Sequence, residues 1–140
     1  MLKGYIEPTE QSAVAMFKRE LKGEVVMLNL LRFRAQADYS ASPQLASDQP
    51  LSGAEAYKKY MAHAGPILVR KGGELLFVGD AGAFFIGPPE ERWDLALLVK
   101  YPSQETFLAF ASDEEYLAGI GHRTAALEDS RLLPLQPRRR

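Results

Sequence analysis

The segment Trp93 to Tyr101, WDLALLVKY, limits the folds open to this chain more than any other stretch. Trp93, Leu95, Leu97, Val99 and Tyr101 alternate along it with Asp94, Ala96, Leu98 and Lys100. Successive side chains of a strand point to opposite faces, so the middle of this strand is apolar on both sides and needs a cover on each. Glu24 to Phe33 repeats the pattern. Val25, Met27, Leu31 and Phe33 share one face with Asn29, and Val26, Leu28, Leu30 and Arg32 share the other. A sheet holding two such strands must be buried from above and from below.

The remaining segments supply half of that cover. Pro8-Thr9-Glu10 signals a first helix with Thr9 as its cap, and Gly23 closes the segment. Arg34 to Leu51 holds two prolines and a single aromatic, Tyr39; a connection this long reads as a lid, a binding loop or disorder. Ser52-Gly53-Ala54-Glu55 has capping-box spacing and opens a helix bearing Tyr57, Met61, Ala64 and Leu68, with a kink or restart expected at Gly65-Pro66. Gly72-Gly73 ends that helix. Glu74 to Ile86, interrupted near Gly79-Asp80, then pairs as a hairpin with Trp93 to Tyr101 around the Pro88-Pro89 turn. Ser103 and Asp113 start two further helical pieces, Ile120 to Leu127 continues as helix, and Leu132 to Leu135 forms a short last edge strand.

Leaving the first helix aside, the order is strand, helix, strand, strand, helix, strand. This is the ferredoxin-like split βαβ arrangement, an α+β fold whose antiparallel sheet carries its helices on one face. The domain is expected over residues 24–135, preceded by an N-terminal helical extension over 1–23 and followed by a flexible tail over 136–140. The face without helices needs a second sheet. An identical subunit is the simplest source, so the chain is expected to be a homodimer.

Composition excludes several function classes. Of the 140 residues, 17 are basic and 18 acidic, and without Arg138, Arg139 and Arg140 the balance is 14 against 18. A mildly acidic body does not suit nucleic acid, which calls for a clustered basic surface. The absence of cysteine removes thiolate metal sites and thiol nucleophiles. No apolar run reaches membrane-spanning length, so no membrane partner is expected and a cytoplasmic location is the default. The chain also lacks a P-loop, a G-x-S-x-G elbow, an H-E-x-x-H pair and a Rossmann glycine pattern. Neither a cofactor nor a metal is expected.

One combination is more specific. Met27-Leu28-Asn29-Leu30-Leu31, Tyr57 with Tyr60, Gly72-Gly73, Tyr101-Pro102-Ser103, Phe107, Glu115-Tyr116 and Arg123 with Ala125-Ala126-Leu127 resemble the bacterial domain-of-unknown-function family 1330, within the dimeric α/β-barrel superfamily. The likeness covers roughly Glu24 to Leu135. It implies two sheets closing face to face into a barrel, with a cleft between each sheet and its own helices. It does not imply one activity, because the superfamily's functions differ from member to member.

The candidate site residues are polar groups set in apolar surroundings. Asn29 lies mid-strand among Met27, Leu31 and Phe33, where a buried amide needs a partner; that partner is either structural or a ligand. Arg32 lies on the opposite face, near the strand end. Tyr60 and His63 are three apart on the long helix, spacing that lets a phenol and an imidazole face one cavity, and they are the catalytic candidates. His122 and Arg123 adjoin, so one turns outward. An inward Arg123 needs an anion, from Asp94, Asp129 or Glu115 or from a ligand. Asn29, Arg32, His122 and Arg123 are therefore the ligand-binding candidates. The expected function is binding or transformation of a small organic molecule between sheet and helices; the alternative is a dimeric module without catalysis.

Overall fold

A computed structural model of the chain describes residues 4–138. Four strands form one antiparallel sheet: β1 (Val25–Phe33), β2 (Glu74–Asp80), β3 (Leu95–Tyr101) and β4 (Leu127–Leu135). Their spatial order is β2-β3-β1-β4. The helices are α1 (Glu10–Lys18), α2 (Gly53–Arg70), α3 (Gln104–Ala111), α4 (Glu114–Ala118) and α5 (Ile120–Ala126). This is the ferredoxin-like order with one helix added in front. Among the described residues no helix is long and apolar enough to cross a membrane.

Local chemistry sets most helix starts. Thr9 and Ser52 each form a reciprocal capping box, and Ser103 and Asp113 accept from backbone amides of their own first turns. α2 runs through Pro66 without restarting. Pro66 and Ala62, whose carbonyl loses its partner, both lie on the solvent side, where water satisfies the freed group.

The sheet is unevenly covered. Along β1 and β3, Val25, Met27, Leu31, Leu97, Val99 and Tyr101 are buried under the helices with Ala56, Tyr57, Ile67, Phe110 and Tyr116. The intervening Val26, Leu28, Leu30, Ala96 and Leu98 are only half-buried, and Phe77 and Leu133 on the flanking strands are 55% and 51% exposed. Edge strand β2 carries Leu75, Leu76, Phe77 and Val78, all exposed. Its hairpin to β3 continues as an arm closed by a single bridge, Ala83 to Arg92, with Phe85 fully in solvent.

Three boundaries differ from the sequence reading. β2 ends at Asp80 and not at Ile86, where the arm has left the sheet. β3 begins at Leu95, although the Trp93 amide, bonded to the Gly82 carbonyl, keeps the register of the hairpin beyond it. β4 begins at Leu127, directly after α5, and not at Leu132. Its polar first half, Glu128 to Arg131, pairs with Leu30, Leu31 and Arg32, and its side chains are taken up by the N-terminal segment.

That segment flanks the outer edge of β4. The Arg19 guanidinium donates to the Pro134 carbonyl at 2.6 Å, and the Gln136 side chain bonds to Lys22 and Glu24. Arg138 is exposed, whereas Arg139 and Arg140, the end of the expected flexible tail, lie outside the described residues.

Candidate functional site

The helix-covered side of the sheet holds a run of aromatic rings. Phe33 lies 5.5 Å from Tyr57, Tyr57 lies 5.1 Å from Tyr60, and Tyr60 lies 6.0 Å from Tyr116, between ring centroids. Tyr116 in turn stacks on Phe110 at 4.4 Å, and Phe110 meets Tyr101. Tyr57 and Tyr60 are three apart on α2, which sets both rings on one helix face. α4 brings Tyr116 to meet them, and the Tyr60 and Tyr116 hydroxyls share a hydrogen bond of 2.8 Å.

Burial pushes the Tyr57 and Tyr60 phenols well above the usual range, and the nearby Arg123 guanidinium only partly opposes this. Both therefore stay protonated at neutral pH. Arg123 itself is half-buried on α5. Its Nη1 donates to the Ile6 carbonyl at 2.7 Å and its Nη2 makes a long 3.4 Å contact with Ser130 Oγ.

None of the three carboxylates considered from sequence partners Arg123. Asp94 pairs with Arg92, Glu115 with Arg70, and Asp129 with Arg131 at 2.7 Å. Among the described residues Arg123 forms no ion pair at all. A cation this far out of water without a counter-charge, beside two neutral phenols, is suited to holding a carboxylate or an enolate oxygen.

Asn29 lies on the same side of the sheet, half-buried between Leu97 and Leu132, and its amide donates to the Met27 carbonyl at 3.2 Å. The other sequence candidates lie elsewhere. Arg32 is on the helix-free face, where its guanidinium covers the Trp93 indole at 5.0 Å while Arg131 covers it at 4.9 Å. It also donates twice to the Arg92 carbonyl. His63 does not share a cavity with Tyr60. Its ring lies against Gly119, where a side chain would have no room, and Nε2 donates to the Glu115 carbonyl at 2.6 Å.

His122 turns outward to the Arg34-to-Leu51 loop, and Nδ1 shares a 2.7 Å hydrogen bond with the Tyr39 hydroxyl. Burial, then the charges of Lys59 and His63, hold the His122 imidazole below its usual range, in its neutral form. The loop is folded back, since Ala37 bonds to Leu51 and Asp38 to Ala125. Asn29, Tyr60 and Arg123 are thus on the aromatic side with Tyr57, Tyr116 and Ser130, while His63 and His122 sit outside it. Tyr57 was readable as a helix-face neighbour of Tyr60, but Ser130 carries no sequence signal.

The rings of this run pack on one another. Two open concavities of the described residues lie elsewhere, one of about 450 Å3 along α1 and one of about 260 Å3 under the 36–51 loop. Among those residues no three His, Asp or Glu side chains group as a metal site.

Comparison with known proteins agrees with the fold. Residues 49–133 match the model of DUF1330, a domain of unknown function. The crystal structure of RPA0582, a protein of unknown function from Rhodopseudomonas palustris, is 36% identical, with a TM-score of 0.82 over 99% of this chain and all of that one. Methylated RPA0582 superposes with a TM-score of 0.84 at the same identity, over 99% of this chain and 98% of that one. A dimeric protein of unknown function and ferredoxin-like fold from Bacteroides fragilis is 12% identical, with a TM-score of 0.51 over 84% of this chain and 99% of that one. No curated protein matches the chain.

Proposed function

This chain belongs to the DUF1330 family, and on that footing we propose that it is a homodimer that binds a small organic carboxylate between its sheet and its helices. The observation that carries the reading is Arg123, half-buried beside Tyr57 and Tyr60 with no carboxylate of its own. Arg123 is the anion anchor, the hydrogen-bonded Tyr60–Tyr116 hydroxyl pair has one proton left to donate, and the aromatic rings take the apolar body of the ligand. Asn29 supplies a second polar contact from the sheet.

The homodimer rests on the helix-free face. Val26, Leu28, Leu30, Leu98, Phe77 and Leu133 give it an apolar middle with nothing over it in one chain. A stable partner on such a face buries more than about 1,000 Å2 in total. The dimeric Bacteroides fragilis protein of the same fold supports this reading.

Calorimetric titration with phenylpyruvate and benzoate, with benzamide as the neutral control, tests the site. The wild type binds the acids and not the amide. Arg123→Gln weakens binding about 10- to 100-fold, the worth of a charge-assisted hydrogen bond, and Tyr60→Phe weakens it less. Equal binding of acid and amide would refute the Arg123 anchor. The packing of these rings on one another favours a second reading, a dimeric module that takes no small ligand, which prevails if neither acid binds any variant.

A further inference from the structure

The Arg123 guanidinium is occupied by the chain's own N-terminal segment, and the way that segment is held bears on how a ligand would reach it. Residues 4–8 form no helix or strand. Among the described residues their main chain makes no backbone–backbone hydrogen bond, and the contacts that fasten it come from side chains. The Tyr5 amide donates to Asp129 Oδ1 at 2.8 Å, and Ser130 Oγ donates to the Tyr5 carbonyl at 2.5 Å. Arg123 Nη1 donates to the Ile6 carbonyl at 2.7 Å, and the Ile6 side chain packs against the hydrophobic core. Gly4 runs so close to β4 that a β-carbon there would be driven into the Glu128 carbonyl.

Two donors, Arg123 and Ser130, therefore hold two adjacent peptide oxygens. A single carboxylate presents two oxygens to the same pair and adds the negative charge that Arg123 lacks. We propose that residues 4–7 act as an internal stand-in for the ligand: they occupy the Arg123–Ser130 donors, and an arylcarboxylate reaches those donors by displacing them. This rests on the carboxylate reading above and adds to it a competitor built into the chain. The affinity seen from outside is the intrinsic affinity reduced by the fraction of chains in which the segment is released. Segments fastened only by a few side-chain contacts are the ones that open at low cost.

The molecule carries a reporter for this release. Trp93 is the only tryptophan, and it is 2% exposed. Arg131 lies over its indole at 4.9 Å and over the Tyr5 ring at 5.0 Å. Displacing Tyr5 frees Arg131 on one side and alters the surroundings of the indole.

The test uses the full-length chain. Gly4→Val levers the segment off β4, and Ile6→Asp removes the apolar plug in case the first change is absorbed locally. Benzoate should bind both variants about tenfold or more tighter than wild type, while benzamide gains nothing. Saturating benzoate should change Trp93 emission in the wild type, and much less in Gly4→Val, where Tyr5 has already left. If benzoate binds wild type and both variants with equal affinity and leaves wild-type Trp93 emission unchanged, the segment is not a competitor, although the binding site stands. If benzoate binds none of the three, the carboxylate site itself is refuted and this inference falls with it.

Discussion

The two faces of the sheet are written in the same residue types and end in different states. On one face Val25, Met27, Leu31, Leu97 and Val99 are sealed under helices. On the other, Val26, Leu28, Leu30 and Leu98 stay half in water in the single chain. Burial of apolar area stabilises by about 25 cal/mol per Å2 wherever the cover comes from. The difference is therefore one of supply: the first face is closed by its own chain, and the second has no cover within the single chain.

Substitutions that treat the faces alike should expose the difference. The largest effect is expected from Leu31→Ala, which empties a fully buried position and should cost about 2–5 kcal/mol, read as a lowered denaturant midpoint at unchanged slope. A loss below about 1 kcal/mol would mean that this face is less closed than described. Next comes Leu98→Asp, one residue beyond the buried Leu97. It should turn a dimer into a folded monomer by light scattering, with circular dichroism retained. A wild type that is already monomeric would leave the open face without its proposed cover.

The smallest effect concerns the outermost part of the closed side, the 34–51 loop pinned by Tyr39 and His122. The folded imidazole titrates below its unfolded value of about 6.5, so its contribution is complete above that pH and is lost as the pH falls through the folded value. Hydrogen exchange in residues 36–51, corrected for intrinsic rates, should lose protection from pH 7 to pH 5 while β1 keeps its own. His122→Gln should remove that pH dependence. Equal acid sensitivity in wild type and variant would detach the loop from His122.

Much of the fold was legible because its signals are local. Thr9, Ser52, Ser103 and Asp113 cap the helices they announce, since a cap needs only residues within one turn. The apolar alternation of β1 and β3 declared both faces. The start of β4 was not legible, because Asp129 and Ser130 read as loop residues until Tyr5, more than a hundred residues away in sequence, engages them. The site divides the same way. The helical spacing of Tyr57 and Tyr60 was readable, whereas the partners of Arg123 are a distant main-chain carbonyl and a serine on another element. Helical spacing alone also set His63 beside Tyr60, but it could not foresee that α4 and Gly119 would claim the imidazole.

The junction where β1 leaves the sheet and α2 begins has a further consequence. The Gly53 amide bonds to the Arg34 carbonyl at 3.0 Å, the Arg34 amide bonds to the Ala126 carbonyl at 2.8 Å, and a side chain at position 53 would strike both carbonyls. The nineteen or so residues from 34 to 52 thus leave and rejoin the framework through one seam. Closing a longer or shorter loop over a fixed seam changes the free energy by only about 0.6 kcal/mol per doubling of length. The scaffold can therefore accept foreign inserts of different length and composition at this place, with the sheet and its aromatic run undisturbed, provided position 53 remains glycine.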